Sequence, residues 1–125
     1  MKDRSNSIVG EKSFRFAVRT VNLYKYLYEK KEYVLSRQIL RSGTSIGANI
    51  SEALEAQSDK DFLSKMCIAL KETAETIYWL RLLHETEYIT DIQFTSMNRD
   101  ACELKAILSS IIKTKRSRME SGEDE

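Results

Sequence analysis

The sequence predicts an all-α protein, an up-down-up-down antiparallel four-helix bundle. Three observations carry this. The 125 residues include no proline and only four glycines, too few turn residues for a β-rich architecture. Apolar residues recur at three- and four-residue spacing through four segments. The breaks between those segments are short and polar, which forces consecutive helices antiparallel. A chain of this size buries roughly two thirds of its unfolded surface in a single core, so one domain is expected. Its parts read as a flexible N-terminus at 1–11, the bundle at 12–117 and an acidic disordered tail at 118–125.

The first helix is expected from about Lys12 to Lys30, with Phe14, Val18, Val21, Tyr24 and Tyr28 as its core stripe. A charged turn, Glu29 to Glu32, follows it. The second helix is expected from about Val34 to Gln57, with Leu35, Ile39, Ile46, Ile50 and Ala53 facing inward. Ser58, with Asp61 behind it, caps a third helix that runs to about His84 on a stripe of Phe62, Met66, Leu70, Ile77 and Leu80. Thr90 and Gln93 have the spacing of a capping box and open the fourth helix, which continues through Met97, Ala101, Leu104, Leu108 and Ile111.

Two helices carry more apolar surface than one core needs. Phe16, Leu23 and Leu27 lie away from the Phe14 stripe, and Ile68, Trp79 and Leu82 lie opposite the Phe62 stripe beside Glu72 and Glu75. Faces of this kind point to another copy of the chain as their cover, and these six residues are the candidate oligomer interface. The alternative is that helix rotation and rim packing absorb them.

The second helix bears an unusual polar stripe: Gln38, Arg41, Ser42, Ser45, Asn49 and Glu52, interleaved with Gly43, Thr44 and Gly47. Glycine costs a helix about 1 kcal/mol relative to alanine, so the face must offset that loss, either as a polar pocket or subunit interface or as a packing groove for a close neighbour. Arg41 and Glu52 are expected to be buried and paired, with Arg81, Glu72 or Glu75 as further partners.

Catalytic apparatus is not visible. The single histidine, His84, has Arg81 three residues before it, so the Glu-x-x-His pairs of carboxylate metal sites are lacking, as are phosphate-cradling glycine loops. No metal, cofactor or catalytic residue is therefore expected, and His84 reads as structural. Cys67 and Cys102 have no CxxC partner, and no apolar run reaches the roughly 20 residues of a membrane span, which points to a cytoplasmic protein with reduced thiols. The net charge of +1 hides an asymmetry, since residues 1–118 carry 20 basic against 15 acidic side chains. Lys12, Arg15 and Arg19 share a face of the first helix, and Lys113, Lys115 and Arg116 cluster near the end of the fourth. These six are the candidate contacts to a nucleic-acid backbone; the other reading is a mixed surface whose terminal cations complement the helix dipole.

The run from Gln38 to Ala53, QILRSGTSIGANISEA, resembles the signature of the bacterial four-helix-bundle family encoded in 23S rRNA intervening sequences. Phe14 to Ala17, and Asp61-Phe62 through Ala69 to Thr76, resemble that family's first and third helices, so the likeness extends over about Ser13 to Lys113. The resemblance implies an up-down bundle that assembles as a homopentamer. It also implies kinship with the accessory variability determinant of diversity-generating retroelements, a basic pentamer that binds nucleic acid and a reverse transcriptase. Many relatives have proline where this chain has Gly47 and glycine where it has Ala53, which implies a less kinked second helix here. Together these readings predict a non-enzymatic homo-oligomer associated with RNA or DNA, or else a protein-interaction scaffold that binds none.

Overall fold

The computed structural model describes residues 4–122 and consists of α1 (Arg4–Glu29), α2 (Leu35–Leu54), α3 (Asp59–Glu85) and α4 (Asp91–Ser121). Each helix packs against its neighbours in the chain, and α1 closes the ring against α4 by a thinner contact. The register is antiparallel throughout. Thr20 meets Gly43 while Ser13 meets Gly47, Arg41 meets Glu72 while Glu52 meets Lys65, and Lys12 meets Glu103 while Arg19 meets Asp100.

Local chemistry sets the helix starts. Ser58 Oγ accepts from the Asp61 amide at 3.1 Å, and the Thr90–Gln93 capping box closes in both directions, at 3.1 and 2.8 Å. Where α2 begins, Val34 has no side chain able to cap, and the nearly buried Glu32 carboxylate does so instead. It accepts from the amides of Val34, Leu35 and Ser36 at 3.3, 2.9 and 2.7 Å.

Helices α1 and α3 end alike. Lys31 and Glu87 both adopt the left-handed conformation, at φ 66°. Behind Lys31, the Glu32 amide donates to the Leu27 carbonyl at 3.0 Å and the Lys31 amide to Tyr28 at 2.9 Å; Tyr88 to Leu83 and Glu87 to His84 repeat the pattern at 2.9 and 3.1 Å. These are Schellman motifs whose left-handed residue is usually glycine. A side chain there costs about 1–2 kcal/mol, partly offset by glycine's greater freedom when unfolded. Lys31→Gly and Glu87→Gly should each raise stability by about 0.5–1 kcal/mol, read as a higher thermal midpoint.

The core corrects the reading of α1. Its buried residues are Val9, Ser13, Phe16, Thr20, Leu23 and Leu27, spaced alternately four and three apart. Phe14 and Val18, expected inside, are 66% and 46% exposed; Val21 and Tyr28 are exposed as well, and Tyr24 is half-buried. The reason lies on α2. A Cβ on Gly43 would stand 2.6 Å from Thr20 Cγ2, and one on Gly47 would stand 3.2 Å from the Ser13 carbonyl oxygen. The glycines admit α1 along its line of small hydroxyl residues, which turns that face inward. Ser13 and Thr20 satisfy their own hydroxyls by donating to the carbonyls of Gly10 and Phe16 at 3.1 and 2.9 Å. The α1 start also differs from expectation. Residues 4–11, read as a flexible N-terminus, are helical, and Val9 is fully buried. At the other end α4 continues past residue 117 to Ser121, and Gly122 caps it at φ 77°. Glu123, Asp124 and Glu125 of the expected tail lie outside the described residues.

Candidate functional site

The polar stripe of α2 forms a seam with α3. Ser42 is fully buried, and its hydroxyl pairs with that of Thr76 at 2.9 Å, while Thr76 lies 2.8 Å from the Glu72 carbonyl oxygen. At the rim Arg41 forks across the seam. One guanidinium nitrogen lies 3.2 Å from Glu72 Oε1, the other pairs with Glu75 Oε2, and the Trp79 indole N–H donates to that same Glu75 oxygen at 2.9 Å. Asn49 donates to the Ser45 carbonyl of its own helix at 2.8 Å, and Gln38 is exposed. The expected buried Arg41–Glu52 pair does not form. Eleven residues separate the two along one helix, about 16 Å of rise, and Glu52 instead makes an exposed pair with Lys65 at 2.9 Å. That bond raises the Lys65 pKa. Arg41 itself is half-exposed and takes Glu72 and Glu75 as partners.

The candidate interface residues separate into two groups. Phe16, Leu23 and Leu27 are core residues of the bundle and cannot meet a partner, because the α1 face they occupy is the one turned toward α2. Ile68 is exposed, whereas Trp79 and Leu82 are half-buried. The apolar surface of α1 is therefore the opposite face: Phe14, Val18 and Val21, a stripe about 10 Å long. Beside it runs a groove of about 360 Å³ between α1 and α2, lined by Gly10, Phe14, Ala17, Thr44, Gly47, Ala48, Ser51 and Leu54. Apart from two hydroxyls its side chains are apolar. Gly47 thus serves both sides of α2, admitting Ser13 inside and lining the groove outside. A second cavity, about 460 Å³, lies at the bundle end where Asn6, Ser58, Asp59, Lys115 and Arg118 converge.

The candidate cations sit mostly in ion pairs. Lys12 lies 3.2 Å from Glu103, Arg15 lies 2.8 Å from Glu11, and Arg19 reaches both Asp100 at 2.5 Å and Ser96. Lys115 pairs with Asp59 at 2.8 Å over the Phe62 ring, Arg116 contacts Cys67 Sγ at 3.5 Å, and Lys113 is exposed. The exposed pairs of Lys12 and Arg15 contribute about 0–1 kcal/mol each, whereas the Lys115–Asp59 pair is largely buried.

His84 belongs to the α3–α4 corner. Its Nε2 lies 2.6 Å from Asp91 Oδ1 and its ring stacks on Phe94 with centroids 4.4 Å apart. Among the described residues no group of three His, Cys, Asp or Glu side chains could hold a metal ion, and no helix is long and apolar enough to cross a membrane.

The family model of the 23S rRNA-intervening sequence protein matches residues 5–110. The crystal structure of a protein of unknown function from the S23 ribosomal protein family of Bacteroides thetaiotaomicron is similar at a TM-score of 0.86 and 60% sequence identity, over 87% of this chain and 98% of that one. No curated protein matches the chain.

Proposed function

Because the chain belongs to the 23S rRNA-intervening sequence protein family, we propose that it acts without catalysis, as a self-assembling helical adaptor that associates with nucleic acid. The observation that carries this reading is the exposed apolar stripe of Phe14, Val18 and Val21 with the α1–α2 groove beside it. A continuous face of this kind is costly to leave in water, and a second copy of the chain is the partner always present at matching concentration. The pentamer implied by the family resemblance needs a head-to-tail contact, in which the stripe meets a different surface of the next copy. Ile68 and Tyr78, exposed on the outer edge of α3, supply such a surface. Assembly multiplies the cationic residues of each copy, Lys113 and Arg116 among them, into one field able to hold a phosphate backbone.

The scaffold reading, without nucleic acid, draws on one observation: Lys12, Arg15 and Arg19 each already have an acidic partner within the chain. Sedimentation of the protein with RNA at low and high salt decides between them. The adaptor reading predicts an oligomer that co-sediments with RNA at low salt and releases it at high salt. An oligomer that never carries RNA at low salt would support the scaffold.

A further inference from the structure

Past Val21 the exposed face of α1 runs on into an aromatic surface at the connection to α2. Tyr24, Tyr28 and Tyr33 form a relay of rings, with centroids 5.9 Å apart for the first pair and 4.9 Å, edge to face, for the second. Tyr28 and Tyr33 are 54% and 44% exposed, so their rings order one another without being buried. Four exposed cations interleave with them: Lys25, Lys30, Lys31 and Arg37. Lys30 Nζ sits 4.7 Å from the centroid of Tyr26, whose pKa it lowers by hydrogen bonding, and Arg37 Nε donates to the Tyr33 carbonyl at 2.8 Å.

Within residues 24–37 the four cations outnumber the two carboxylates, Glu29 and Glu32. Glu32 is turned inward onto the α2 amides, which leaves Glu29 as the exposed carboxylate. The neighbouring α3–α4 turn contributes Glu85, Glu87 and Asp91, the last bonded to His84. Lys31 itself occupies the left-handed position that ends α1.

We propose that this turn is a stacking platform for single-stranded nucleic acid, on which unpaired bases lie against Tyr28 and Tyr33 while Lys25, Lys30, Lys31 and Arg37 meet the phosphates. The inference rests on the nucleic-acid half of the function proposed above and specifies its site. Alternation of planar rings with cations matches a ligand that alternates planar bases with anions. An acidic peptide offers the charge without the planar faces, and a duplex hides its bases from such a surface. Helix α4 ends at the opposite end of the bundle, where Lys115 meets Asp59.

Fluorescence anisotropy of a labelled single-stranded oligoadenylate, repeated with that strand in a duplex, tests the platform. The wild type should prefer the single strand. Tyr28→Ala with Tyr33→Ala should weaken binding by at least about tenfold, while the paired phenylalanine variant, which keeps the ring faces, retains it. Lys31→Gly should weaken binding and lower the slope of log affinity against log salt by about 0.7, even as it stabilises the fold. Oligomeric mass and helical circular dichroism of each variant exclude losses through dissociation or unfolding. Wild-type affinity in a folded alanine variant, or equal affinity for the duplex, overturns the platform and leaves nucleic-acid association standing. No binding by the wild type at low salt overturns both.

Discussion

Gly43→Ala destabilises the bundle by about 1–2 kcal/mol net, although alanine is the better helix former by about 1 kcal/mol. The added Cβ would lie 2.6 Å from Thr20 Cγ2 and 2.7 Å from its Oγ1. Thr20 is fully buried, β-branched and bonded to the Phe16 carbonyl at 2.9 Å, so it cannot swing aside without losing that bond or colliding elsewhere. Gly10 is the internal contrast. A Cβ there meets only Leu54 Cδ1 at 3.4 Å, and Gly10→Ala should stabilise by up to about 1 kcal/mol. Gly47→Ala should fall between, since its Cβ would crowd the Ser13 carbonyl at 3.2 Å. Urea denaturation at fixed protein concentration reads the order Gly10, Gly47, Gly43 directly. Coupling between Thr20→Ala and Gly43→Ala identifies the clash as the cause, because shrinking Thr20 should recover most of the loss.

Glu32→Ala should cost about 2–3 kcal/mol, a large effect for a side chain in a connecting turn. Its carboxylate is the acceptor for three amides at the start of α2 and faces the positive end of that helix's dipole. Removing it leaves those donors uncapped, since the Val34 side chain carries no oxygen. Glu32→Gln keeps an acceptor without the charge and should lose about half as much. Equal stability of Glu32→Ala and the wild type would mean that water caps α2 as well as the carboxylate does.

Much of this architecture is legible in the sequence, and the exceptions share a cause. The helix starts at Ser58 and Thr90 and the inward stripe of α2 follow from local rules, because a cap or a strongly one-sided helix carries its information within a few residues. The orientation of α1 does not. That helix offers two apolar stripes at helical spacing, and the deciding factor, the clearance at Gly43 and Gly47, sits on another helix. Aromatic content favours the Phe14 face, yet the face bearing Ser13 and Thr20 fits the groove. Helix α3 hides its core in the same way, since Thr73 and Thr76 read as polar but are fully buried and donate to the carbonyls of Ala69 and Glu72 at 2.8 Å. Polar letters with self-satisfied hydroxyls behave as small core residues.

The same cause governs the exposed faces. The idea of an apolar face left over on α1 is right in kind, whereas Phe16, Leu23 and Leu27 belong to the core and the leftover face is Phe14, Val18 and Val21. Arg41 is legible as a cross-seam residue with Glu72 and Glu75 among its candidate partners, whereas its expected pairing with Glu52 fails because the two stand eleven residues apart on one helix and Glu52 takes Lys65 instead. Glu32 carries no capping signature at all, since a glutamate reaching forward over a turn matches no short motif.

The central claim is that the chain assembles through the α1 face, and light scattering of the wild type beside a Phe14→Asp, Val18→Asp variant tests it most directly. Both side chains are solvent-facing in the single chain, so the charges should leave its helical circular dichroism unchanged. The account predicts a multi-subunit mass for the wild type and the mass of one chain for the variant. A wild type with the mass of one chain, or a variant that keeps the wild-type mass, would contradict it.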